Sequence, residues 1–105
     1  MIGGFSQGAM LALSSGLLYQ KLCAGILAYS GGLYLGKHLP ANTPASVCLI
    51  HGARDTVVPK DASESAYAYL SPSFDTSLHI LPDLEHAIDL RGLQLGEAFI
   101  KNTLK

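Results

Sequence analysis

The sequence predicts an α/β fold of about four parallel strands, the first of them truncated, with three helices. Three observations lead there. Short β-branched or apolar runs at Cys23–Tyr29, Ser46–Ile50 and Thr76–Leu81 alternate with longer helix-prone stretches. Each run stops at a breaker: Ser30-Gly31-Gly32, His51-Gly52 or Pro82. The residues best able to carry chemistry fall just past those stops, where open α/β sheets place their functional groups.

Taken in order, Met1 to Gly4 reads as the end of a strand, and Gln7 to about Tyr19 as a helix, because Ala9-Met10-Leu11-Ala12-Leu13 is apolar and helix-prone. Cys23–Tyr29 is a strand. Leu33 to Ala45, containing Pro40 and Pro44, is a loop with a few apolar anchors; Tyr34, Leu35 and Leu39 could instead line a groove beside Ser6. Ser46–Ile50 has the continuous apolar character of a buried parallel strand. A helix follows from about Lys60 to Leu70, with Asp61 near its start, where negative charge is favoured, and with Tyr67 and Tyr69 expected to pack. Thr76–Leu81 is the last strand and about Leu90 to Leu104 the last helix. Such alternation specifies a parallel sheet with right-handed crossovers.

At 105 residues, 49% hydrophobic and 14% charged, with a formal net charge of -1, the chain fits one globular domain at most. There is no basic surface to suggest nucleic acid. Met1 to Gln20 contains no Asp, Glu, Lys or Arg, but it lacks a basic leader and is diluted by glycine and serine, so no stable membrane insertion is expected. Cys23 and Cys48 both lie in apolar runs and read as small buried hydrophobes, which points to the cytoplasm. The four histidines lack paired-ligand spacing, so neither a metal nor a cofactor is expected.

The segment Gly4-Phe5-Ser6-Gln7-Gly8 has the G-x-S-x-G form of a nucleophile elbow. In such an elbow a strand turns abruptly into a helix. The serine sits on the strained corner, and flanking glycines remove Cβ atoms that would collide. Ser6 would then stand at a helix N-terminus, where the Gln7 amide can face a developing oxyanion. Asp55 falls on the loop after the Ser46–Ile50 strand. Asp61, Glu64, Asp75, Asp83, Glu85 and Asp89 are better explained as solvated charges on helices and turns. Among the histidines, His79 reads as a side chain on one strand face and His38 as a surface residue. His51 touches the site region but lies too close in sequence to Asp55 to form a separate arm, whereas His86 occupies the loop after the last strand.

In these motifs the chain resembles the carboxylesterase and acyl-protein thioesterase family of α/β-hydrolases, also called the phospholipase/carboxylesterase family. Gly4-Phe5-Ser6-Gln7-Gly8-Ala9 is similar to its G-F-S-Q-G elbow, and His51 to Pro59 to its H-G-x-x-D-x-V-V-P segment. Glu85-His86-Ala87-Ile88 resembles its G-H-x-I histidine loop, with Glu85 where the family usually carries glycine. The resemblance covers essentially all of this chain and half of a typical member, implying a partial α/β-hydrolase fold in which residues 1–105 are the C-terminal half of the domain.

The resemblance implies Ser6 as nucleophile, Asp55 as orienting acid, His86 as base and Gln7 as one oxyanion donor, acting on small acyl esters, lysophospholipids or acyl thioesters. It also implies that the second oxyanion donor comes from a loop ahead of the elbow, and that activity is impaired without it. The alternative is an inactive remnant. In the family's sheet the strand leading to the elbow is central, so here its outer edge should recruit another chain. A homo-oligomer or a complementing N-terminal fragment is expected.

Overall fold

The computed structural model describes residues 1–18, 24–33 and 46–104. They form β1 (Ile2–Phe5), α1 (Gln7–Leu18), β2 (Gly25–Tyr29), β3 (Ser46–Gly52), α2 (Asp61–Leu70), β4 (Thr76–Leu81) and α3 (Leu90–Thr103). The four strands make one parallel sheet in the order β1-β2-β3-β4. This is the expected α/β arrangement of four parallel strands and three helices. Cys23, Tyr19 and the 34–45 stretch, with His38, Tyr34, Leu35 and Leu39, lie outside the described residues.

The period-two geometry of a strand sends neighbouring side chains to opposite faces, and here each face has its own core. On one face Ile26 and Ala28 of β2 and Val47 and Leu49 of β3 pack against Ala9, Leu13 and Leu17 of α1 and Ala66 and Leu70 of α2. On the other, Leu27, Tyr29, Cys48, Ile50 and Leu81 meet Leu95 and Phe99 of α3. Strands β2 and β3 are therefore covered on both sides and read as continuous apolar runs. Burying each large aliphatic side chain there contributes about 1.5–3 kcal/mol. The Tyr29 hydroxyl ties the second core down by donating to the Gly92 carbonyl of α3 at 2.8 Å. Burial pushes that phenol above its ordinary value, with the Cys48 charge adding to the effect.

Two sequence expectations need correction. The strand expected to end at Ile50 runs on through His51 and Gly52, which pair with Ile80 and Leu81 of β4. Neighbouring backbone supplies the acceptors and donors that sustain it, so a glycine is no stop here. Tyr67 and Tyr69, expected to pack, are 37% and 51% exposed; the phase of α2 turns Ser63, Ala66 and Leu70 to the sheet instead.

Strand β1 alternates between exposed and half-buried residues, with Phe5 37% exposed, and pairs only with β2 among the described residues. No helix among the described residues is long and apolar enough to cross a membrane.

Candidate active site

All the residues singled out for chemistry leave the carboxyl ends of the strands, so parallel pairing alone brings three distant segments to one edge of the sheet. Ser6 follows β1, Asp55 lies three residues beyond β3, and His86 lies five beyond β4.

Ser6 has φ 58°, in the left-handed region that a residue with a Cβ rarely adopts. Such a conformation costs of order 1–3 kcal/mol and persists only where the surroundings impose it. Here the Ser6 amide donates to the Tyr29 carbonyl at 2.8 Å, extending the β1–β2 ladder, while its own carbonyl accepts from Met10 at 3.0 Å and starts α1. The strand-to-helix corner thus leaves no slack. A Cβ at Gly4 would collide with the backbone of Gly8 and sit 2.7 Å from the Ala9 nitrogen, so this position requires glycine. Gly8 does not match the expectation from sequence: a Cβ there would meet nothing within 4 Å, because the second residue of α1 faces outward.

The loop after β3 wraps the carboxylate of Asp55, whose side chain is fully buried. Oδ1 accepts from the Val57 and Val58 amides at 2.9 and 2.8 Å. Oδ2 accepts from His86 Nδ1 at 2.7 Å. Burial on its own would raise the carboxyl, but the hydrogen bonds from His86, Val58 and Val57, together with the charge of His86, outweigh it and hold Asp55 below the ordinary carboxylate value.

His86 turns its other nitrogen to the elbow, with Nε2 3.0 Å from Ser6 Oγ. Its ring also lies against Phe5 in a tilted contact, centroids 4.8 Å apart at 42°. The two loops are stitched together: the Ala53 amide donates to the Leu81 carbonyl and the Arg54 amide to the Leu84 carbonyl, at 2.9 and 3.0 Å. Gly52 makes that approach possible, since a Cβ would collide with the Leu84 and Glu85 carbonyls. The Glu85 side chain, standing where glycine was the expected residue, is exposed.

The arrangement can take the proton of Ser6 Oγ onto Nε2 of a ring whose Nδ1–H is already held by a carboxylate. Gln7 is the first residue of α1, and a first-turn amide has no acceptor within its own helix, so it is free to face an anion. The remaining carboxylates behave as sequence suggested: Asp61 and Glu64 sit near Lys60 in the exposed first turn of α2, and Asp89 caps α3 by accepting from Gly92 at 2.9 Å. Asp83 and Glu85 are exposed, and Asp75 accepts from Ser46. His79 faces a 370 Å³ cavity between α3 and β3–β4, toward the opposite end of the strands, which contains none of Ser6, Asp55 or His86. Cys48 is buried and unbridged, its thiol pushed up by burial and partly drawn back by Ser77.

Sequence reasoning missed His51. It is fully buried, with Nε2 3.3 Å from Asp55 Oδ2 and 2.6 Å from the Val58 carbonyl, and Nδ1 2.6 Å from Ser63 Oγ. The signal available was its place beside the strand end, four residues before Asp55.

Residues 1–104 match the family model described as Phospholipase/Carboxylesterase. Among curated relatives, Esterase YpfH of Escherichia coli (strain K12) is 34% identical over 102 residues, covering 96% of this chain and 44% of that protein. Acyl-protein thioesterase 1 of Gibberella zeae is 30% identical over 112 residues, covering 99% and 48%. The crystal structure of esterase PE8 superposes with a TM-score of 0.84 at 37% identity, over 96% of this chain and 48% of that one. A carboxylesterase from Bacillus cereus reaches the same TM-score at 18% identity, a likeness of fold alone. The chain spans about half the length of the curated relatives it matches.

Proposed function

Because this chain belongs to the phospholipase/carboxylesterase family, we propose that residues 1–105 are the C-terminal half of a serine hydrolase domain that cleaves small acyl esters, lysophospholipids or acyl thioesters. The observation that carries the proposal is the continuous contact from Asp55 Oδ2 through His86 to Ser6 Oγ, at 2.7 and 3.0 Å.

In this reading His86 Nε2 takes the Ser6 proton as Oγ attacks the acyl carbonyl. The tetrahedral oxyanion faces the Gln7 amide, and as it collapses His86 returns the proton to the departing alcohol or thiol. Water then attacks the acyl-serine by the same route and releases the acid. Asp55 keeps the Nδ1–H pointed at itself and offsets the charge that forms on the ring. The chemistry is covalent attack by Ser6 supported by hydrogen bonding and proton transfer, and it calls on no cofactor or metal.

The second oxyanion donor is proposed to come from a complementing N-terminal segment or from a second copy of this chain lying along β1, whose outer edge has no partner strand among the described residues. Acting alone, the chain is expected to be a weak hydrolase, since losing one such donor typically costs about 10²–10³ in kcat. The half-exposed β1 favours, as a second reading, an inactive half-domain that waits for that partner. A cytoplasmic location is part of the proposal and rests on Cys48 as a buried free thiol.

Labelling with a fluorophosphonate probe decides between the readings. Covalent modification of the parent chain that is lost in Ser6→Ala supports the hydrolase, as does turnover of p-nitrophenyl butyrate above a blank. Equal reactivity of parent and Ser6→Ala removes Ser6 from the mechanism.

A further inference from the structure

We propose that His51 is a positioning residue for the triad, holding the Asp55 carboxylate in the orientation that receives His86; the proposal rests on the hydrolase reading above. His51 does not touch substrate, because its side chain is fully buried at the end of β3.

The direction of its hydrogen bonds follows from its neighbours. Nε2 faces the Val58 carbonyl at 2.6 Å and Asp55 Oδ2 at 3.3 Å, and both can only accept, so Nε2 carries a proton in either state of the ring. In the neutral ring Nδ1 then accepts from the Ser63 hydroxyl at 2.6 Å, a shorter contact than that hydroxyl's alternative acceptor, the Gly31 carbonyl at 3.4 Å. A buried imidazole with an unpartnered nitrogen would be costly, and here neither is unpartnered.

What this does for Asp55 is visible atom by atom. The Val57 and Val58 amides pin Oδ1 and leave the carboxylate able to tilt about that point. Oδ2, the oxygen His86 uses, lies 3.3 Å from His51 Nε2, whose N–H is given to the Val58 carbonyl, so the grip of His51 on the carboxylate runs chiefly through Val58. Val58 closes the ring: its amide donates to Oδ1 at 2.8 Å while its carbonyl accepts from His51. Ser63, buried in α2, holds the far side of the imidazole and so fastens the acid loop to a helix packed on the sheet. The loop from Ala53 to Lys60 is thereby clamped from β3 and from α2 at once.

The test uses His51→Phe, which keeps a ring but loses both nitrogens, and His51→Gln, which can still place an N–H near Asp55. Ser63→Ala releases the far nitrogen alone. Two readouts are taken: the downfield proton NMR signal of His86 Nδ1–H, assigned by its absence in His86→Gln, and the rate of fluorophosphonate labelling at Ser6. In a His51→Phe chain that still melts cooperatively, the signal should be lost and labelling should slow on the order of tenfold or more, as small misplacements of reacting groups do. His51→Gln should restore most of both. A parent-like signal and rate in His51→Phe overturns the proposal, and so does failure of His51→Gln to recover them, which would make the residue a packing element. Should His51→Phe not fold, Ser63→Ala decides, since a loosened ring must weaken the His86 signal. A parent chain that never labels counts against the hydrolase reading, whereas the NMR signal still judges His51.

Discussion

Gly52 lies directly beneath the carbonyl of Leu84, so close that a methyl group on its Cα would collide with that oxygen. The contact joins the loop that holds the acid to the loop that holds the histidine. Gly52→Ala must therefore push the two apart, against backbone rather than against a yielding side chain. We expect a stability loss of about 1–3 kcal/mol and a fall in fluorophosphonate labelling larger than that loss explains. Urea melts and labelling rates on the folded fraction check it; a chain that labels at the parent rate would show that the loops are set independently.

The two glycines of the elbow should behave oppositely. Gly4→Ala has no room and should abolish labelling and destabilise the chain. Gly8→Ala meets open space in a helix, where alanine is favoured over glycine by about 0.5–1 kcal/mol, and should raise the urea midpoint. A destabilised Gly8→Ala chain would mean that the second glycine has a constraint other than space.

Acid should expose the protection of Asp55. Its folded value lies below the ordinary carboxylate value of about 3.9, so as pH falls the unfolded chain takes up this proton first. The stability it contributes is complete above that ordinary value and is lost as pH descends through the folded one. Asp89 and Glu97 are lowered too, by the Gly92 amide and by Lys101 respectively, but both are solvent-accessible and remain in every variant. Melts from pH 7 to pH 2 should accordingly show a steeper acid limb in the parent than in Asp55→Asn. Equal slopes would remove Asp55 as the source.

The free side of β1 should make the chain associate. Phe5 and Met1 are partly exposed there, and backbone groups along the outer side have no strand to pair with among the described residues. Sedimentation equilibrium at micromolar concentration should show a dimer or larger species, or aggregation. A cooperatively melting monomer would show that the edge satisfies itself.

Much of this was readable from residue order. The runs 46–50 and 76–81 are apolar because β3 is covered on both faces and β4 is partly so, and parallel pairing then carries Ser6, Asp55 and His86 to one end of the sheet. His51 was not readable in the same way. Its part depends on the Val58 carbonyl and on Ser63, twelve residues on in a different element, and neither distance is encoded in local pattern. Tyr67 and Tyr69 were misjudged because an aromatic in a helix gives no hint of phase until its neighbours are placed; Ala66 and Leu70 occupy the buried stripe. Gly8 looked constrained only because it belongs to a motif.

Ser6 and His86 are 80 positions apart along the chain. At about 5–20 residues per second of synthesis, the elbow serine exists for several seconds before its histidine has even been made. No earlier segment brings His86 Nε2, so for that interval the hydroxyl is an ordinary alcohol, inert toward the esters and thioesters around a ribosome. On the hydrolase reading, arming Ser6 also requires β4 to find β3, a long-range event that parallel sheets complete slowly. On that reading the chain carries a built-in delay between displaying its serine and being able to use it, and reactivity at Ser6 would report in real time that the last strand has docked.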